Sequence, residues 1–310
     1  MADDLPGRVR RVKRTIWLAS YPKSGNTWFR MLIANLGRSE PADINALPSR
    51  GGIASGRAMF DSAMLFPSAL LTHEECDRMR PMVYRSEAMH AWRDPDEEDA
   101  GEGIGGVHFV KTHDGWTIGD DGVPLLGGTA AAAGAILIVR DPRAVAASLA
   151  HHEARSIDDT IGFMGSSTSA FCGRDDRLHR QLRQRLLGWS AFHASWLDQA
   201  ELPVHCVRYE DMHADPAAGL AAALDFAGVA ADREAIARAV EFARFDALTA
   251  QEREKGFREA PPSRVDRAFF RRGRADGWRD ELSAGQQQAI ERDHHAMMQR
   301  LGYRADPPPA

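Results

Sequence analysis

Four groups of residues have the types and spacing to act on an anionic group. The first is Tyr21-Pro22-Lys23-Ser24-Gly25-Asn26-Thr27-Trp28, which follows the apolar run Thr15–Ser20. Trp28, Leu32, Ile33 and Leu36 then recur at helix spacing. A strand that feeds a short loop at a helix N-terminus gathers unpaired N–H groups and the positive end of the helix dipole, and Lys23 adds a full charge. The loop is not a Walker A motif, which needs a second Gly four residues upstream of Gly-Lys-[Ser/Thr]. The second group is Arg140, at the end of an uninterrupted apolar run, with Ser148 two turns into the segment that follows. A fixed guanidinium beside a hydroxyl suits a phosphate monoester. The third is Arg271-Arg272-Gly273, two cations and a loop backbone offered to one anion. The fourth is Lys111-Thr112-His113 at a strand end, where a histidine titrating near neutrality can accept a proton.

Taken together and in this order, these segments resemble the sulfotransferases that use 3′-phosphoadenosine 5′-phosphosulfate (PAPS). The loop Tyr21–Trp28 resembles the family's 5′-phosphosulfate loop. Arg140 with Ser148 eight residues later resembles its 3′-phosphate motif, with Ala144 where the family often has Asp. Phe269–Trp278 resembles Arg-Lys-Gly-x-x-Gly-Asp-Trp, with Arg272 for Lys and Asp276-Gly277 in inverted order. The resemblance spans residues 14–280 apart from variable middle segments.

It implies the sulfotransferase fold, PAPS as donor with PAP as product, and sulfonation of an acceptor hydroxyl or amine without a metal. It implies that Lys23, Ser24, Gly25, Asn26 and Thr27 hold the 5′-phosphate and that Trp28 stacks on adenine. Arg140, Ser148, Arg271, Arg272 and Gly273 would hold the 3′-phosphate, while Tyr209 and Phe245 would lie at adenine. His113 would be the general base, and Lys23 would stabilise or protonate the leaving oxygen. Lys111 and Ser148 complete the expected catalytic set, Lys111 by positioning the acceptor. Two other readings stand beside this one: an ATP-dependent kinase with an atypical phosphate loop, and a nucleotide-binding module without catalysis.

The elements that must position these residues read as α/β. Strand-like runs at Thr15–Ser20, Val107–His113, Gly134–Arg140 and Val204–Tyr209, the third uninterruptedly apolar as in a strand buried on both faces, alternate with helical stretches, which predicts a central parallel sheet flanked by helices. Ligands of such sheets bind at the carboxyl ends of the strands, and Lys23, His113, Arg140 and Tyr209 all fall there. Thr72 with Glu75 predicts a capped helix start. Asp141-Pro142, Asp215-Pro216, Asp232 and Ser283 predict further starts. Leu178, Leu182, Leu186, Trp189, Phe192 and Trp196 predict one long amphipathic helix.

The chain has 310 residues, 44% hydrophobic and 27% charged, ordinary values for a globular protein. One domain is expected over 14–304, between a flexible leader at 1–13 and a tail at 305–310. A net charge of -5 disfavours a nucleic-acid partner. Cys76, Cys172 and Cys206 show no CxxC and point to a reducing cytoplasm. No apolar run has the length of a membrane span. The pairs His151-His152 and His294-His295 read as surface. Residues 50–106 and 155–176 are expected to line or cover the acceptor pocket. Their Met59, Phe60, Met64, Leu65, Phe66, Phe163 and Met164 suggest a small-molecule acceptor that is partly apolar. Oligomeric state is left open.

Overall fold

The computed structural model describes residues 14–47, 52–86, 104–260 and 268–304. The leader, the tail and part of the expected acceptor segment lie outside them. Strands β1 (Arg14–Ser20), β2 (Val107–Thr112), β3 (Gly134–Val139) and β6 (Val204–Arg208) form one sheet in the order β2-β1-β3-β6. Every pairing is parallel, with Ala19 opposite Thr112, Ser20 opposite Ile138 and Val139 opposite Arg208. This is the expected α/β fold.

Both faces of the sheet are apolar, which is why its strands read as continuous runs. Ile16, Leu18, Ile136 and Ile138 point to one face. There they meet residues of α1 (Asn26–Ala34), α8 (Pro216–Ala227) and α9 (Arg233–Phe242). Trp17, Ala19, Leu137 and Val139 point to the other. That face is covered by residues of α3 (His73–Arg85), α4 (Pro142–Glu153), α6 (Trp189–Asp198) and α11 (Ala284–Arg300). The remaining helices are α2 (Arg57–Met64), α5 (Ile157–Gly165), α7 (Tyr209–Ala214) and α10 (Phe245–Lys255).

The capping signals are realised. Thr72 and Glu75 form a reciprocal capping box, and so do Ser283 and Gln286. Asp141, Asp215 and Asp232 each accept a backbone N–H of the following first turn.

The long helix expected from Leu178 to Trp196 is not there. Helix begins only at Trp189, after Gly188 at φ 72°. Leu182 and Leu186 are buried from an irregular stretch containing β5 (Gln184–Arg185), paired antiparallel with β4 (Ala170–Phe171). Leu178 is exposed. Extended residues at every fourth position also return to one side, so their spacing imitated a helix.

One buried ion pair fixes the end of β2. Arg80 and Asp114 are fully buried and joined in a two-pronged contact, with distances of 3.2 and 2.5 Å. Asp114 also accepts the Arg185 N–H at 2.9 Å, and its carbonyl accepts the Trp196 indole N–H at 3.1 Å. These bonds satisfy the buried charge and hold the residue directly after His113.

Candidate active site

The ends of β1, β2, β3 and β6 open on a cleft of about 1360 Å³. After β1 the chain turns through Lys23, whose φ of 68° is left-handed, and Gly25 at φ 102°. A Cβ at Gly25 would stand 2.6 Å from the Tyr209 ring, so glycine is required by space as well as by backbone. The loop is pinned to its strand by the Asn26 amide, which donates to the Leu18 carbonyl at 3.0 Å and to Ser20 Oγ at 3.1 Å. The Asn26 side chain is thus committed to structure, and its backbone N–H opens α1. No side chain caps α1 at Gly25, and no acidic residue lies in its first turn. Its positive end is therefore unspent.

Lys23 Nζ lies in the cleft, 3.9 Å from the centroid of the Phe269 ring and 3.5 Å from His152 Nδ1. Burial, then the charges of Lys111 and Arg140, push its pKa down to about 7. His152 therefore faces the site rather than solvent. His294 is likewise buried and bonded to Ser190 Oγ at 2.8 Å. Neither histidine is the surface residue expected.

His113 Nδ1 is 2.7 Å from the Ser20 carbonyl. A carbonyl can only accept, so Nδ1 carries the proton and Nε2 keeps its lone pair. Among the described residues Nε2 has no protein partner, and His113 lines the cleft. Burial and the adjacent Lys111 charge lower its pKa to about 3. The imidazole is neutral at ordinary pH with its Nε2 lone pair free, but it titrates well below the near-neutral value expected from the sequence, because burial and Lys111 disfavour its charged form.

Arg140 leaves β3 with its guanidinium 4.2 Å from the Tyr209 ring centroid. It donates to the Lys23 carbonyl at 3.0 Å and to the Arg274 carbonyl at 3.3 Å. It thereby ties the Lys23 loop to the Arg271–Arg274 segment. Arg140 Nε and Ser24 Oγ are buried without a hydrogen-bond partner among the described residues. Ser148 of α4 lines the same cleft. Arg271 is paired with Glu281, 2.8 Å at one contact, and Arg272 with Asp280 at 3.2 Å. Both cations carry counter-charges.

On the far wall Trp28 packs edge-on against Tyr209 at 5.7 Å and donates to the Ala243 carbonyl at 3.0 Å. Phe245, at the start of α10, closes against Gly273, where a Cβ would stand 2.5 Å from its ring. All the site residues expected from the sequence except Ser24 line this one cleft, and Ser24 lies buried in its loop.

Glu259 belongs to the site and was not foreseen. Its carboxylate accepts from Arg30 at 2.5 Å, Lys111 at 3.2 Å and Thr27 Oγ1 at 3.3 Å. Burial alone would raise its pKa, but Arg30 and Lys111 outweigh burial and hold it well below the usual carboxylate range. Its partners come from α1 and β2, more than 140 residues away, so no local pattern marks it.

The apolar residues expected to line the acceptor end mostly do not. Met59, Phe60 and Met164 are core. Leu65 and Phe66 are exposed and line no part of the cleft, and neither does Met64. Phe163 alone of that set lines it, stacked on Phe171 at 5.9 Å.

A parallel sheet with cationic, Gly-containing loops at its strand ends defines a protein that binds a phosphorylated group. A family profile described as a sulfotransferase domain matches residues 131–302, more than half the sequence, and the chain belongs to that family. No curated protein sequence matched. Among solved structures the chain is similar to retinol dehydratase in complex with androsterone and inactive cofactor PAP. The two share 19% identity, with 95% of this chain and 82% of that one covered, at a TM-score of 0.51. It is also similar to mouse sulfotransferase SULT7A1 complexed with PAP, at 16% identity, 93% and 84% coverage and a TM-score of 0.53. At such identity the likeness is one of fold. The profile match begins after His113, so the Lys23 loop and His113 stand on geometry. Among the described residues, no helix is long and apolar enough to cross a membrane.

Proposed function

We propose that the protein transfers a sulfuryl group from PAPS to a hydroxyl or amine of a small-molecule acceptor. The observation that carries this reading is the pairing of Lys23 with His113 in one cleft. A cation of lowered pKa stands at the loop, and a neutral histidine of fixed tautomer lines the same cleft.

The residues present fit a nucleotide with two phosphate groups. The uncapped start of α1 and Lys23 offer donors for the 5′-phosphate. They are joined by Thr27, whose hydroxyl is shared with Glu259, and by Ser24, whose Oγ, unpartnered among the described residues, is buried in the loop and must be exposed to reach it. Arg140, with an unpartnered Nε, and Ser148, Arg271, Arg272 and Gly273 serve the 3′-phosphate. Arg271 and Arg272 are shared with Glu281 and Asp280. Trp28, Tyr209 and Phe245 supply the aromatic surface for adenine.

PAPS would bring the sulfuryl group and a 5′-phosphate as leaving group. His113 takes the acceptor's proton at Nε2 as the new bond to sulfur forms. Lys23 faces the charge that develops on the departing phosphate oxygen, holding it or giving it a proton. Nδ1–H stays on the Ser20 carbonyl throughout, so the imidazolium that forms is oriented and partly stabilised. Lys111 and Glu259, joined at 3.2 Å, set the field beside His113. The catalytic unit is residues 14–304 and needs no metal. The three unpaired cysteines suit a reducing cytoplasm.

Thermal stabilisation by PAP compared with ATP·Mg tests the reading. Stabilisation by PAP alone supports it, and stabilisation by ATP·Mg alone favours the kinase.

A further inference from the structure

The donor does not account for all the positive charge along the cleft. Another part of the cleft wall, here taken as the acceptor side, is made by residues of α5, the β4–β5 pair and the segment between those two strands. Arg155, Arg174, Arg177 and Arg180 all line it. Two neighbouring acids are already spent: Asp176 on Arg174 at 2.5 Å, and Asp175 on His73 at 3.2 Å. Glu153, the other acid on this wall, lies 3.8 Å from His152. Among the described residues no carboxylate pairs with Arg155, Arg177 or Arg180. Arg155 is instead held over the Phe163 ring, 4.7 Å from its centroid, beside the Phe163–Phe171 stack.

Arg155, Arg177 and Arg180 thus bring three guanidinium groups with no carboxylate partner among the described residues to the lining of one cleft. Cations crowded in a cleft repel one another and gain from an anionic partner. Arginine also matches the planar oxygens of carboxylates and phosphate esters better than any other side chain. The Phe163–Phe171 pair supplies a flat apolar surface there.

We infer that the acceptor is a hydroxylated acid. One end presents its hydroxyl to His113, and the other carries a carboxylate, phosphate or sulfate that Arg155, Arg177 and Arg180 receive. This rests on the proposed transfer reaction, but its test does not depend on turnover. The probes are 4-hydroxyphenylacetate, its neutral methyl ester and 4-hydroxyphenyl phosphate, titrated into the PAP-saturated protein. The comparison protein is Arg155→Gln/Arg177→Gln/Arg180→Gln, whose changes are on exposed side chains. PAP is titrated first into both proteins.

The expected result is binding of each acid at least about tenfold tighter than the ester at low salt, the preference fading near 0.5 M salt where the screening length falls to a few Å. In the triple variant the preference disappears while PAP affinity is kept. The better of the two acids identifies the anionic group. Equal binding of acids and ester, including no binding of either at millimolar concentration, overturns the inference. So does a preference that survives in the triple variant. Failure of the unaltered protein to bind PAP overturns the donor assignment instead, and the two failures are separate readouts.

Discussion

Lys23 gives the account its most quantitative test. Its pKa is lowered from the ordinary 10.5 to about 7 by burial and by the charges of Lys111 and Arg140. At 1.36 kcal/mol per pH unit, keeping that lysine charged in the free cleft costs about 5 kcal/mol. A phosphate dianion bound against it removes most of that cost and restores the proton. At pH 8 the free side chain is roughly one-tenth protonated, so PAP binding should take up about 0.9 proton. The phosphates are fully ionised at that pH and contribute nothing. Isothermal titration in buffers of different ionisation enthalpy reads the uptake directly. Affinity should fall about tenfold per pH unit above 7, because only the protonated lysine binds well. Lys23→Met should abolish both effects. The same ionisation should give kcat/KM a descending limb near pH 7. No ascending limb is expected near the ordinary histidine value of 6.5, because His113 titrates near 3. Uptake below about 0.2 proton at pH 8, or equal uptake in Lys23→Met, would refute a Lys23 neutralised by its surroundings.

Other outcomes follow from single contacts. Arg80→Met leaves the fully buried Asp114 carboxylate without its counter-ion and should cost about 3–5 kcal/mol in urea unfolding. A loss under about 1 kcal/mol would show that the pair does not hold the β2 end. Glu259→Gln removes the anion that Lys111, Arg30 and Thr27 share. It should tighten PAP binding about tenfold, or roughly 1.4 kcal/mol, and weaker binding would contradict a Glu259 charge that opposes an anion at the Thr27 end of the loop. Gly25→Ala puts a methyl against Tyr209 at φ 102°. It should cost about 1–3 kcal/mol of stability along with most PAP affinity, and a variant that melts and binds like the parent would disprove that constraint.

What the sequence disclosed and what it hid divide by range. The Lys23 loop was legible because strand, turn and helix are contiguous there. The caps at Thr72, Asp141, Asp215, Asp232 and Ser283 were legible because a cap bonds within three residues. The stretch from Leu178 to Leu186 misled, since periodicity reports which side is buried and not the backbone that delivers it. Gly188 was a sign of a break that the sequence did offer, and the structure holds it at φ 72° immediately before the helix begins. The Arg80–Asp114 pair and the Glu259 cluster join residues far apart in the chain, and no local spacing encodes such contacts. His152 was set aside because adjacent histidines on a helix face different ways. That spacing shows they are not a pair, but it does not show where each one points. The apolar residues near the acceptor end were read as lining when several were core, which hid the arginines beside them.

The central claim is transfer with His113 as base and Lys23 at the leaving group. Single-turnover transfer of radiolabelled sulfuryl from PAPS, with 4-hydroxyphenylacetate and other hydroxylated acids as acceptors, tests it directly. The parent protein should label the acceptor and release PAP. His113→Ala should bind PAP as tightly and transfer at least about 100-fold more slowly, the lower range for loss of a general base. Equal rates in the two proteins, or labelling by neither, would contradict it.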